Sequence, residues 1–367
     1  MKMRWHAVYL VVVLASGWNL AEAQNVKITP IGQRTGEFCA QDRALLFQDP
    51  TGVRILYDPG NTVARGTDAR LGDVHVILIS HAHSDHLGNG KLSQNPDSTN
   101  SSCSSAVTTP APNSNTAEIA AAKQSAVVAG GPLATTISRL IAAVVGSPTV
   151  SCPASGLTNE MTVPLSSACT AGLGLGAKRT IRHVSAKQGV QITAVTAEHT
   201  NELSSVFLVE PERTELSSNG LGAYVGLANG FVVTFTNGLK AYLSGDTGLT
   251  SDMNTIVRGY YGADLVVINM GDIFTTGPEE AAVAVTELIH PVSVIPSHVN
   301  EAATQGGVPN AGSRTARFLN LVKAGSNSNR SHNEPRGVDM ISAFLPLSGV
   351  TMEFDGRGRC EVGCQGR

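Results

Sequence analysis

Apolar positions along the chain fall into short runs of strand length and longer stretches of helical spacing. Val26 to Ile31 and Ala44 to Tyr57 read as short strands, the latter broken by a turn at Asp49-Pro50-Thr51-Gly52. Val74 to Ser80 is a nearly continuous β-branched run, the pattern of a strand covered on both faces. Val190 to Ala197, Phe231 to Thr236, Ala241 to Ser244, Leu265 to Asn269 and Val292 to Pro296 read as strands too. Helices are expected at Thr116 to Gln124, Leu133 to Val145, Asp252 to Tyr260, Pro278 to His290 and Ser313 to Val322. Pro278 lacks only an N–H that a first helical turn leaves unpaired, and Glu279 and Glu280 complement the helix dipole there. Alternation of the two element types predicts an α/β or layered α+β class.

Two stretches depart from this pattern. Ser, Thr, Asn and Pro dominate Ser93 to Thr116, which reads as a loop or disordered insert, and Ser147 to Thr180 is again loop-like. The expected organisation is one domain over residues 24–367 with a loop-rich insert at about 91–180. Met1 to Ala23 stands apart: basic Lys2 and Arg4, a short apolar run from Ala7 to Ala15, and the small-x-small triplet Ala21-Glu22-Ala23 fit a signal peptide cleaved before Gln24. That run is shorter than the roughly 20 residues of a membrane-spanning helix; an uncleaved anchor is the alternative. An exported protein, periplasmic or secreted, follows, with no stable membrane association after cleavage.

Composition narrows the partners. The 367 residues are 42% hydrophobic and 15% charged, with net charge −3, so no clustered basic surface points to nucleic acid. Cys39, Cys103, Cys152, Cys169, Cys360 and Cys364 make an even set that suits disulfides in an exported chain, with 15 pairings open. A four-cysteine zinc site fits their spacing poorly.

The chemistry concentrates at residues 80–88, Ser-His-Ala-His-Ser-Asp-His-Leu-Gly. His81, His83, Asp85 and His86 place four metal-ligating side chains within six positions, directly after a strand. Imidazole and carboxylate suit zinc, manganese and iron alike. His199, Asp246 and His298 each follow a later strand, in Ala197-Glu198-His199-Thr200, Ser244-Gly245-Asp246-Thr247-Gly248 and Pro296-Ser297-His298-Val299. Singly, each is a weak signal, because a lone histidine after a strand is more often structural and a Gly-Asp-Thr-Gly segment can be simple turn chemistry. As an ordered set they are specific. Asp58, in Tyr57-Asp58-Pro59-Gly60, reads first as a turn residue. His75, His183, His290 and His332 read as face, edge, helix-end and loop residues.

The His-x-His-x-Asp-His segment and the three later stations resemble the metallo-β-lactamase superfamily. Gly245-Asp246-Thr247-Gly248, Asp252-Met253 and Gly277-Pro278-Glu279-Glu280-Ala281-Ala282 give a nearer resemblance to its ascorbate-6-phosphate lactonase-like and uncharacterised metal-dependent hydrolase branch. The resemblance implies a four-layer αββα sandwich and two divalent metal ions, zinc first, with manganese or iron also suited. His81, His83 and His199 would bind one ion; Asp85, His86 and His298 the other; Asp246 and a water or hydroxide would bridge them. It also implies that Asp85 orients the nucleophile or passes a proton to the leaving group, and that an aspartate such as Asp58 can stand behind the ligands. The implied activity is hydrolysis of a small-molecule ester, lactone, amide or phosphodiester, with hydrolytic dehalogenation, β-lactam hydrolysis or metal binding without turnover as alternatives. His83 stands where the flavodiiron branch has glutamate, and Asp246 where the commonest zinc β-lactamases have cysteine, which weighs against both.

Overall fold

The computed structural model describes residues 24–92, 103, 108–328 and 340–365. The expected signal at Met1 to Ala23 and the Ser331-His332-Asn333 segment lie outside them. Two β-sheets form the centre of the molecule. The first has nine strands in the order Cys360–Val362, Met352–Phe354, Val26–Pro30, Leu45–Gln48, Arg54–Tyr57, Val76–Leu78, Ala126–Ala129, Cys169–Gly172 and Val150–Ser151. The second has eight: Ser342–Ala343, Ser293–Ser297, Leu265–Asn269, Lys240–Leu243, Asn229–Thr234, Val190–Thr196, Lys178–His183 and Glu160–Val163.

Successive strand side chains point to opposite faces, and both faces here are apolar. In the first sheet Leu45, Phe47, Ile55, Tyr57, Val76 and Leu78 face inward, where they meet Phe231, Val233, Leu265, Val267 and Ile295 of the second. The alternate residues Leu46, Leu56 and Ile77 pack outward with residues of the helices Asn115–Lys123 and Gly131–Val145. On the other side Val232, Val266, Ile268 and Val294 pack with the helices Met253–Tyr261, Pro278–Val283, Ala284–Ile289 and Arg314–Ser328. Three apolar layers between four structural ones give the expected αββα sandwich.

Direction of the strands decides where chemistry can gather. Arg54–Tyr57, Val76–Leu78 and Ala126–Ala129 run parallel. So do Lys240–Leu243, Leu265–Asn269 and Ser293–Ser297. Val190–Thr196 lies two antiparallel steps from Lys240–Leu243 and therefore points the same way. The carboxyl ends of the strands leading to the sequence stations thus share one edge in each sheet. The sheets are tied there by Asn229 N–H donating to Ser80 O at 2.9 Å and Gly245 N–H donating to Tyr57 Oη at 2.9 Å.

The expected strands are present within a few residues, and the helices expected at 116–124, 133–145 and 313–322 match observed ones, the first ending one residue earlier and the last starting one residue later. The 252–260 helix is a wide-turned π-helix over Met253–Tyr261, and that expected over 278–290 changes from α to π at Ala284. The loop-like expectation for residues 147–180 is corrected: Glu160–Val163 and Lys178–His183 belong to the second sheet, and Cys169–Gly172 to the first. Within Ser93 to Thr116, Thr108–Pro110 pairs with Gly90–Leu92, and Asn115 already begins a helix. All six cysteines are paired, as Cys39–Cys103, Cys152–Cys169 and Cys360–Cys364. Among the described residues no helix is long and apolar enough to cross a membrane.

Candidate metal centre

The turn after Val76–Leu78 delivers four donors because it is short and tightly held. Ser84–Leu87 forms a single helical turn, and Gly88 ends it at φ 78°. Asn201 Oδ1 accepts the Ala82 N–H at 2.7 Å, while its amide donates to Gly226 O and Leu227 O, so a second-sheet loop fixes the turn. Gly245 precedes Asp246 at φ 62°, and a Cβ there would stand 2.8 Å from Asn229 O and 3.0 Å from Ser80 Cβ. Glycine meets both the conformational and the steric demand. His298 itself is left-handed at φ 50°, an uncommon conformation for a side-chain-bearing residue and one that aims its ring.

The structure brings all seven sequence-predicted donors together. Asp246 lies at the middle: its carboxylate is 3.1 Å from His298 Nε2, 3.4 Å from His86 Nε2, 3.8 Å from His199 Nε2 and 3.9 Å from His81 Nε2. His199 Nε2 is 3.3 Å from His83 Nδ1, and Asp85 Oδ2 is 3.2 Å from His298 Nε2. Three overlapping groups converge within 4.8 Å: His81–His83–His199, His81–His86–Asp246 and Asp85–His86–His298. His75, His183 and His290 lie elsewhere: His75 Nδ1 accepts the Arg54 N–H, His183 packs edge-on to His75, and His290 ends its helix at φ 53°.

Residues outside the motif set the tautomers. Asp58 is buried, with Oδ2 2.9 Å from His86 Nδ1, and it also accepts the Ser80 N–H and Oγ–H. A proton on His86 Nδ1 turns the lone pair of Nε2 toward Asp246 and Asp85, the usual job of a carboxylate behind a metal ligand. Ser80 Oγ stands 3.0 Å from His81 Nδ1 and can do the same for that ring. Sequence reasoning placed Asp58 as an alternative to a plain turn residue and missed Arg43, whose buried guanidinium grips Asp85. No local spacing signals Arg43, because its partner is 42 residues away.

Electrostatics separate the histidines. Burial, assisted by neighbouring imidazoles, pushes His81, His83 and His199 below the ordinary histidine range, which leaves them neutral with lone pairs available. Burial would also strip the proton from His86, but Asp246, Asp58 and Asp85 outweigh it and push that ring up to about 10. Burial opposes ionisation of Asp246 and Asp85 as well; the surrounding histidines, with Arg43 at Asp85, hold both well below the usual carboxylate range.

These donors fit divalent cations. Among the described residues, buried His81 Nε2, His86 Nε2 and Asp246 Oδ1 have no hydrogen-bond partner, a costly state that coordination would relieve. Zinc–ligand bonds of about 2.0–2.2 Å in a tetrahedron put neighbouring donors roughly 3.3–3.6 Å apart, close to the 3.1–3.9 Å observed around Asp246.

An αββα sandwich with a histidine–aspartate cluster at the carboxyl edge of its strands defines a metallo-β-lactamase-type, metal-dependent hydrolase. A model of the β-lactamase superfamily domain matches residues 41–298. A UPF0173 metal-dependent hydrolase of Cupriavidus necator is 30% identical over 268 residues, covering 71% of this chain and 72% of that protein. One from Cupriavidus taiwanensis is 31% identical over 266 residues, with 71% and 72% covered. The solved structure of Igni18, a metallo hydrolase of Ignicoccus hospitalis, is similar at 17% identity and a TM-score of 0.48, with 90% of this chain and 100% of that one covered. The chain belongs to the metallo-β-lactamase superfamily and is a metal-dependent hydrolase.

Proposed function

We propose that the chain is an exported hydrolase that binds two divalent cations, zinc first, through His81, His83, Asp85, His86, His199, Asp246 and His298, and cleaves a small-molecule ester, lactone, amide or phosphodiester. The observation that carries this reading is the position of Asp246, buried, with four imidazoles within 4 Å of its two oxygens. His81, His83 and His199 are the donors for one ion, Asp85, His86 and His298 for the other, and Asp246 serves both. When bound, such ions supply an ionised water at neutral pH and a Lewis acid for the substrate oxygen.

The chain's own residues divide the remaining work. Asp58 and Ser80 hold the first-motif rings in ligand geometry. Asp246 is enclosed, with 5% of its side chain exposed, and is positioned to hold rather than to exchange protons with solvent. Asp85 has 36% of its side chain exposed, so of the two acidic ligands it is the one within reach of an incoming nucleophile, which it can orient by accepting a hydrogen bond; held well below the usual carboxylate range, it stays ionised in that role. Export is supported by the signal-like Met1 to Ala23 and by the three disulfides, which persist in oxidising compartments.

Elemental analysis of the purified protein, with a panel of chromogenic lactone, aryl-ester, β-lactam and phosphodiester substrates, tests the activity. Asp246→Ala should lose at least one metal equivalent and reduce turnover on the order of a hundredfold or more. Undiminished metal content in that variant would remove the shared-ligand assignment. N-terminal sequencing of the processed protein should start at Gln24.

A further inference from the structure

Arg43 is a buried cation that the hydrolytic reading does not use. Its side chain is 3% exposed, and it lines the same cavity as His86, Asp246 and His298. Nη1 of its guanidinium contacts Asp85 Oδ2, and its Nε donates to Gln41 O at 3.3 Å. The oxygen it holds is the one that faces His298 Nε2 at 3.2 Å and His86 Nε2 at 3.8 Å. A cation drawn to the Asp85 oxygen that already faces His86 and His298 therefore shares it with the guanidinium or displaces it.

Among the described residues, no guanidinium or ammonium pairs with His81, His83 or His199 in the other half of the centre. Near the His81–His83–His199 group, Ser80 Oγ stands 3.0 Å from His81 Nδ1 and Thr200 Oγ1 stands 3.3 Å from His83 Nε2. Both are neutral hydroxyls. The two halves share Asp246, and Asp58 stands behind His86, so Asp85 is the one carboxylate that the second half offers as a ligand of its own, and Arg43 offsets its charge. Because the guanidinium is buried, salt screens it little.

We propose that Arg43 makes the two metal sites unequal: the His81–His83–His199 half takes a divalent cation tightly, whereas the Asp85–His86–His298 half takes the second weakly, with Asp85 passing from Arg43 to the cation as it binds. This rests on the metal-centre reading above. Arg43 is in this sense a positioning residue, acting on the second ion through Asp85.

The test is a Zn2+ titration of metal-free protein against a chromophoric chelator, with bound zinc counted by elemental analysis. Wild-type protein should bind one equivalent tightly and a second on the order of a hundredfold more weakly. Arg43→Met keeps an unbranched apolar stem and removes the charge, and should tighten the second equivalent by about tenfold or more. Arg43→Lys should keep the wild-type gap. A residue needed only for packing would weaken binding on replacement, the opposite direction. Two indistinguishable equivalents in wild-type protein would overturn the inference and leave the metal centre standing, and so would a second equivalent in Arg43→Met no tighter than in wild type. The wild-type isotherm decides the first point even where Arg43→Met does not fold. Absence of any bound zinc would overturn the metal centre and this inference together.

Discussion

His86 sits between three carboxylates, and its state shows how single residues tune the centre. In metal-free protein Asp246, Asp58 and Asp85 together overcome burial and push it up to about 10, so at pH 8 the ring carries a proton. A cation needs the neutral ring, so loading should expel that proton. The sign follows from the direction of the shift: release is largest well below pH 10 and fades as pH rises through that value. Calorimetric titration of Zn2+ in two buffers of different ionisation enthalpy measures it, and heats independent of buffer would contradict it. Asp58 is the companion case. Its Oδ2 accepts from His86 Nδ1 at 2.9 Å in a setting already committed to Ser80. Asp58→Asn replaces one carboxylate oxygen with a donor and removes the charge that steadies the ring. Zinc affinity should fall by about 10–100-fold, read by chelator competition, with far-UV circular dichroism unchanged.

At the scale of elements, the site depends on strand ends and on the turns that follow them. Gly245 stands in one of these tight turns: φ is 62°, and an added Cβ would meet Asn229 O at 2.8 Å. Gly245→Ala should cost roughly 2 kcal/mol or more, from left-handed strain and a backbone clash, and should displace Asp246. Denaturant unfolding and zinc content check both; wild-type values for each would mean the turn tolerates a side chain. The same geometry explains what the sequence made legible. His81, His83, Asp85 and His86 are compressed into one turn, and His199, Asp246 and His298 each stand just past an apolar strand, so all seven donors could be read locally. The contacts of Arg43 with Asp85, Asp58 with His86 and Asn201 with Ala82 span 42, 28 and 119 residues, and nothing local marks them. Ala126–Ala129 and Cys169–Gly172 escaped notice for another reason. Each has only four residues, Ala-Val-Val-Ala and Cys-Thr-Ala-Gly, buried along nearly all their length, so no polar alternation marks a strand and the apolar run is too short to stand out from its surroundings.

On the scale of the whole molecule, the centre is a junction between its two halves. His81, His83, Asp85 and His86 follow a strand of the first sheet, while His199, Asp246 and His298 follow strands of the second. Without a cation, this seam is joined by the apolar layer between the sheets and by a few hydrogen bonds, and it carries buried ring nitrogens and a carboxylate oxygen without partners. Metal ligation satisfies those atoms and links both sheets at once. A site with free metal at 100-fold its dissociation constant adds about 2.7 kcal/mol to the folded state. The Tm should therefore rise by several degrees, roughly, when zinc replaces a chelator, and should climb further with zinc concentration. Differential scanning fluorimetry in EDTA and across a zinc series measures it under oxidising conditions, so that the three disulfides stay constant. If Arg43 makes the sites unequal, the Tm climbs with the logarithm of zinc concentration at one slope while only the first site fills, and more steeply once zinc is high enough to draw Asp85 from the guanidinium. An identical Tm with and without chelator would mean that the seven donors do not hold a metal across the seam.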